Sequence, residues 1–187
     1  MIKKEKTLKD AKKIYLTGIM KDFPSAERIP YSRYKRAIKN KLMHAYGYYE
    51  ENKRCGYVVT IEEDGVIFIS YLAIRNDIRD KGYGTRMIKE FVEYYKKRKY
   101  IIIEADSAEG INDKRELEII EKRKKFYYKN GFEAVPDIDY CIYGVRYDLL
   151  VYKINCNEVT NKEAIDITRK LYSKIARNMQ FFHLKTL

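Results

Sequence analysis

The sequence has no tryptophan, and only three cysteines, three prolines and two histidines among its 187 residues. Cys55, Cys141 and Cys156 are odd in number and no two lie close together. That argues against a disulfide framework and against a CxxC metal or redox site, and it points to a reduced, cytoplasmic setting. His44 and His183 are the only histidines, and a metal-free protein is the default expectation. The prolines form no linker, since two of them sit together in the stretch Phe23–Pro30. The longest uncharged run is ten residues, Gly65 to Ile74. A membrane-spanning helix needs about 20, so no membrane association is expected. The N-terminus is basic, but the apolar stretch Ile14–Met20 behind it is short and interrupted by Thr17 and Gly18. A secretory signal is not expected. The length suits one domain with room for a short appendage.

Positive charge is in excess. Lysine and arginine number 39 against 27 acidic residues, a net charge of +12, and there are nineteen tyrosines. Such a chain favours anionic partners: nucleic acid, a membrane surface or a phosphorylated small molecule. The same balance also describes a solvated surface in a lysine- and tyrosine-rich chain.

The pattern predicts a strand over Lys13–Met20, a proline-marked loop over Phe23–Pro30, and a helix from Ser32 to about Met43, with Tyr34, Ile38 and Leu42 at four-residue spacing. Strands are expected over Ala45–Glu50, Cys55–Glu62 and Val66–Ile74. The short connections at Glu51–Arg54 and Asp64–Gly65 make hairpins of them. A helix follows from Gly82 and Gly84 to about Lys97, then a short apolar strand, Tyr100–Ala105. A helix over Asp113–Lys129 should end at Gly131, with strands at Phe132–Pro136 and Tyr147–Lys153. A last amphipathic helix is expected from Glu163 to about Met179, with Ile167, Leu171, Ile175 and Met179 on one face.

The loop Arg79-Asp80-Lys81-Gly82-Tyr83-Gly84-Thr85 lies between a strand and a helix. There, successive backbone N–H groups and the helix N-terminus can form a concave anion site, with Arg79 and Lys81 adding full charges. A pyrophosphate suits it. The loop is not a P-loop, because no Gly-Lys-Ser/Thr follows a four-residue spacer. It is not a complete GxGxxG either, because the third glycine position is Met87. Glu104, 22 residues beyond Gly82, stands where a dinucleotide fold places a ribose-holding acid. The antiparallel strands ahead of the loop argue against that fold.

Arg79-x-x-Gly82-x-Gly84 resembles the R/Q-x-x-G-x-G/A motif of the GNAT superfamily of acetyl-CoA-dependent N-acetyltransferases. Phe126-Tyr127-Tyr128-Lys129-Asn130-Gly131-Phe132, about 45 residues on, resembles the family's FYxxxGF signature. The resemblance spans roughly Lys13 to Lys153. A bacterial subgroup is similar in three further places: the Phe-Pro-x-x-Glu-Arg stretch at Phe23–Arg28, Glu104 at a strand end, and Arg123 before the signature. One departure stands out. Many members have asparagine seven residues before the tyrosine, where Ile120 stands here.

The resemblance implies an α/β fold of the α+β type, with a mixed central sheet of about seven strands and helices on both faces. Residues 1–153 would form the acetyltransferase domain, and 154–187 a C-terminal helical extension packed on it or on a partner subunit, so a homodimer is open. It further implies that acetyl-CoA is the cofactor. Main-chain groups near Leu72 and Ile74 would pair with the pantetheine arm, and the amides from about Lys81 to Thr85 would hold the pyrophosphate. Lys96–Lys99 and Lys122–Lys125 could help with the ribose phosphate or simply be solvated helix faces.

An alkylammonium must lose a proton before it can attack a thioester. Glu104 is the candidate base, the alternative being a strand-end salt bridge or a substrate-orienting role. Tyr127, in the signature position, is the candidate acid for the thiolate. Tyr128 would point about 100° away round the helix and cannot share the role. Phe23, Glu27 and Arg28 would wall the acceptor side. Arg28 would pair either with an acceptor anion or with a loop glutamate. The expected reaction is acetyl transfer to the amine of a small-molecule acceptor. The alternatives are a protein N-acetyltransferase and a non-catalytic regulator that binds nucleic acid or acyl-CoA.

Overall fold

The computed structural model describes residues 1–142, 144–175 and 182–186. The chain divides into two compact units, the first comprising Met1–Glu62 with Ile69–Lys96, the second Glu63–Phe68 with Lys97–Leu187.

The first unit opens with strand β1 (Ile2–Lys4) and then a helical run: α1 (Leu8–Ile14), a π-helical turn over Tyr15–Ile19, and α2 (Met20–Asp22). The strand expected over Lys13–Met20 is therefore helical. Thr7 starts it, its Oγ1 accepting from the Asp10 N–H at 3.1 Å. Ala11, Ile14, Tyr15, Gly18 and Ile19 then recur at helical spacing and are buried. The stretch contains the β-branched residues Ile14, Thr17 and Ile19, and burial of the helical stripe outweighs their strand propensity. Gly18 is needed for packing, since a Cβ there would come within 2.5 Å of the Tyr57 ring.

Helix α3 (Tyr31–Lys39) stops short of Met43 because Lys41 takes a left-handed φ of 59° and Met43 already begins β2 (Met43–Glu50). β3 (Lys53–Glu63) and β4 (Val66–Ile74) follow. Both hairpins expected from the sequence are present. Glu51 and Asn52 have φ of 47° and 62°, and Asp64 and Gly65 have 50° and 82°, the paired positive values that a two-residue hairpin turn requires. Gly56 marks a close approach in β3, where a Cβ would meet the Ala73 carbonyl oxygen at 2.6 Å. Helix α4 (Tyr83–Tyr94) buries Met87, Ile88 and Phe91.

In the second unit, β5 (Tyr100–Asp106) is apolar and buried on Ile101, Ile102 and Ile103. Helix α5 (Lys114–Lys129) is capped by Asp113, whose side chain accepts from the Glu116 N–H at 2.8 Å, and Gly131 follows it at φ 87°. β6 is only Glu133–Ala134. β7 (Ile138–Ile142), β8 (Val145–Lys153), α6 (Asn161–Ile175) and β9 (Phe182–Thr186) complete the unit. β1, β7 and β9 were not expected. Met179 of the last predicted helix lies outside the described residues.

Helix α6 starts with a reciprocal cap. The Glu163 N–H donates to Thr160 Oγ1 at 3.2 Å, and the Thr160 N–H donates to Glu163 Oε2 at 3.0 Å. Its face of Ala164, Ile165, Ile167, Thr168 and Leu171 is buried. Lys170 pairs with Glu63 at 2.9 Å and Asp64 at 2.6 Å, beside the hairpin that opens β4.

Among the described residues the nine strands hydrogen-bond in the order β1-β2-β3-β4-β5-β8-β7-β9, with β6 on β8. This is the expected α+β class, a mixed sheet with helices on both faces, carrying nine strands in place of about seven. No helix among the described residues is long and apolar enough to cross a membrane.

Candidate active site

The glycine loop grows out of the end of β4. Leu72 is half-buried and Ile74 buried, and beyond them Arg75 forms an ion pair with Asp77. The Arg79 Nε donates to the Ile74 carbonyl at 3.1 Å, folding the motif arginine back over the strand end. Asp80 then adopts φ 61°, a left-handed conformation that aspartate tolerates better than most side chains. Lys81 is exposed. Gly82 adopts φ 77° in the N-cap position of α4, with no side-chain cap. A Cβ at Gly82 would meet nothing within 4 Å. The first amides of the helix, at Tyr83, Gly84 and Thr85, have no side-chain cap from Gly82, and the positive end of the helix dipole lies at this loop. The Arg86 guanidinium lies over the Tyr83 ring, 4.4 Å from its centre. This cradle, a helix N-terminus without a side-chain cap next to the cations of Arg79 and Lys81, is the kind of place at which an anion is stabilised.

In the same unit, the segment Phe23–Pro30 is tied to β4 by one phenol. Tyr71 Oη donates to the Glu27 carbonyl at 3.1 Å and accepts from the Ile29 N–H at 2.8 Å. Phe23 packs edge-on against the Tyr71 ring, with centres 4.9 Å apart. Arg28 donates through Nη1 to the Met20 carbonyl at 3.2 Å. Tyr15 adds a bond from its Oη to the Ile29 carbonyl at 2.8 Å.

The second unit holds Glu104 and Tyr127. Glu104 sits near the end of β5, opposite Leu149 of β8. Its carboxylate accepts from two phenols. Tyr140 of β7 donates to Oε1, and Tyr172 of α6 lies 2.9 Å from Oε1 and 2.8 Å from Oε2. Burial pushes the Glu104 pKa up to about 7, although both phenols favour the ionised form. Tyr172 in turn packs edge-on against Phe68, centres 5.6 Å apart, and the Tyr140 and Tyr147 rings lie tilted to each other at 5.9 Å.

Tyr127 lies on α5, buried between the rings of Phe126 and Phe132. Burial pushes its pKa up to about 12, with the Arg123 guanidinium acting in the opposite direction. The phenol is therefore fully protonated at neutral pH. Tyr128 is exposed. Arg123 forms an ion pair with Asp106, Lys124 with Asp148 at 2.6 Å, and Lys125 with Glu121 at 3.4 Å. Three cations of the Lys122–Lys125 cluster are thus matched by acids on their own unit. Ile120, standing where many relatives have asparagine, is buried and apolar.

Tyr140 and Tyr172 escaped the sequence reading. Neither lies in a motif, and among nineteen tyrosines nothing marks them out. Their pattern gave only weak hints: Tyr140 alternates with Ile138 and Ile142, and Tyr172 borders the apolar stripe of α6. No cluster of histidine, cysteine or acidic residues that could hold a metal occurs among the described residues.

None of the curated proteins matches the sequence. Among solved structures, a protein described as a GNAT-family acetyltransferase from Bacteroides thetaiotaomicron superposes with a TM-score of 0.77 at 18% identity, over 92% of this chain and 96% of that one. The ribosomal-protein-S18-alanine N-acetyltransferase from Escherichia coli gives a TM-score of 0.60 at 12% identity, over 84% and 96%. An acetyltransferase from Bacillus subtilis in complex with CoA gives 0.54 at 15% identity, over 81% and 97%. A family model for the acetyltransferase (GNAT) domain matches residues 42–134, a stretch that holds the strands leading to the cradle, the cradle itself, Glu104 and Tyr127. The chain belongs to the GNAT superfamily, the acyltransferases that use acetyl-CoA as acetyl donor.

Proposed function

We propose that this enzyme transfers the acetyl group of acetyl-CoA to the amine of a small-molecule acceptor in the cytoplasm. The Arg79–Thr85 cradle holds the diphosphate, and Leu72 and Ile74 offer main-chain groups to the pantetheine arm. Phe23, Glu27 and Arg28 contribute to acceptor binding. An alkylammonium holds its proton until about pH 10 and is not nucleophilic while it does so. Glu104 takes that proton on a carboxylate oxygen. The neutral amine adds to the thioester carbonyl to form the C–N bond, and the tetrahedral intermediate collapses with cleavage of the C–S bond. Tyr127 Oη gives its proton to the departing thiolate, and the second proton of the amine nitrogen restores the phenol.

The observation that carries this reading is the seat of Glu104, a half-buried carboxylate at a strand end that accepts from two phenols. A carboxylate with an ordinary pKa would be a much weaker base toward the ammonium. The test is a screen of primary amines for free thiol released from acetyl-CoA, run with the wild-type protein and with Glu104→Gln. A productive amine should lose about two to four orders of magnitude in kcat/KM with the variant. Undiminished turnover by Glu104→Gln would remove Glu104 as the base.

A further inference from the structure

Glu104 belongs to the segment shared with the family model, but the two phenols that grip it do not. Tyr140 lies on β7 and Tyr172 on α6, both beyond residue 134. We infer that Tyr140 and Tyr172 are positioning residues that set the orientation and proton affinity of Glu104, so that the C-terminal helix completes the base. This inference deepens the proposed function and rests on its assignment of Glu104.

The geometry is specific. Tyr172 donates its proton toward both carboxylate oxygens at nearly equal distance, while Tyr140 donates to Oε1 alone. With both phenols engaged, the carboxylate plane is fixed from two elements at once, and Oε2 carries the lighter load. Oε2 therefore keeps the larger share of its lone pairs unengaged by these two phenols. A phenol can stabilise carboxylate by donating to it, whereas a protonated carboxyl would have to turn and donate in its place. The phenols thus oppose the burial that would otherwise leave Glu104 neutral and useless as a base.

β7 brings Tyr140 to Glu104, and α6 brings Tyr172. β8 brings Leu149 directly opposite and Tyr147 beside the two phenols, and the carboxylate of Asp106 lies further along β5 itself. Lys170 and Lys174 of α6 are committed to Glu63 and Asp64 at the other hairpin. Tyr172 itself is held by Phe68. The phenols also lie within hydrogen-bonding reach of each other, so a change at one is felt by its neighbour.

The experiment is a carboxyl-carbon NMR titration of full-length protein labelled in glutamate, with the Glu104 signal assigned by its loss in Glu104→Gln. Tyr172→Phe and Tyr140→Phe remove one hydroxyl each and keep the rings. Each should raise the Glu104 midpoint by about one pH unit, the size expected for a lost hydrogen bond to a charged group. Titration calorimetry with CoA should give unchanged affinity. In turnover with a productive amine, the acid limb of kcat/KM should move up by the same amount, a drop of roughly fivefold at neutral pH that is recovered in alkali. An unmoved Glu104 midpoint in both variants overturns the inference. If one variant fails to fold, the other decides. A shifted midpoint with no amine ever turned over would leave the positioning role standing and sink the proposed function. Turnover with an unmoved midpoint would do the reverse.

Discussion

The Nε of Arg79 lies 3.1 Å from the carbonyl oxygen of Ile74, so the motif arginine is anchored to the last residue of the strand that precedes its loop. That anchor leaves the other end of the guanidinium to face an anion. Arg79→Ala should weaken CoA binding by about tenfold or more, the worth of one charge-assisted contact, while Arg79→Lys recovers only part of it because lysine is a point charge without a fork. Calorimetry with CoA measures both.

Gly82→Ala separates backbone strain from ligand contact. The left-handed φ of 77° should cost about 1 kcal/mol of stability, seen as a lowered urea midpoint. The added methyl meets no protein atom, so the fold should survive. It would stand over the uncapped amides, and CoA affinity should fall by more than the stability change explains. Equal losses in both measurements would place the diphosphate elsewhere.

Glu104 predicts a pH dependence of stability with a definite sign. Its folded pKa of about 7 lies above the ordinary value of 4.5. Between those values the folded chain holds a proton that the unfolded chain has released. Stability from this group is therefore full below about pH 4.5 and is lost as pH rises through 7, by roughly 3 kcal/mol in all. Asp77, Asp139 and Glu63, with pKa values lowered by their partners, pull the other way at lower pH. Comparing urea unfolding of wild type with Glu104→Gln across this range isolates the term. The variant should gain relative stability as pH rises.

Tyr127→Phe should fold normally, since the ring contacts with Phe126 and Phe132 remain. Its kcat should drop by about a hundredfold with KM little changed, because a proton donor matters only as the thiolate leaves. Steady-state kinetics with a productive amine check this, and full turnover at every pH would clear Tyr127 of the role.

Local chemistry made much of this fold readable. The turns at Glu51–Asn52 and Asp64–Gly65, the cap at Asp113 and the glycines after β4 each announce a backbone conformation that few residues can adopt. The N-terminal helix misled because β-branched residues and helical spacing gave opposite signals, and burial decided between them. β1 and β9 depend on partners remote in sequence. Ile2 pairs with Tyr48, and Leu184 with Tyr140, and neither pairing leaves a local trace. The site divided in the same way. The cradle, Glu104 and Tyr127 lie in motifs, whereas Tyr140 and Tyr172 become visible only when three chain segments converge on one carboxylate.

Tyr71 holds the Phe23–Pro30 segment by two main-chain hydrogen bonds, to one carbonyl and one amide, and by an edge-on contact with the Phe23 ring. Those two hydrogen bonds ask nothing of the side chains at Glu27 and Ile29, so substitution there leaves both bonds in place. A lineage carrying this arrangement is free to retune which amines it accepts by point substitution in one short stretch, leaving untouched the machinery that grips the acetyl donor.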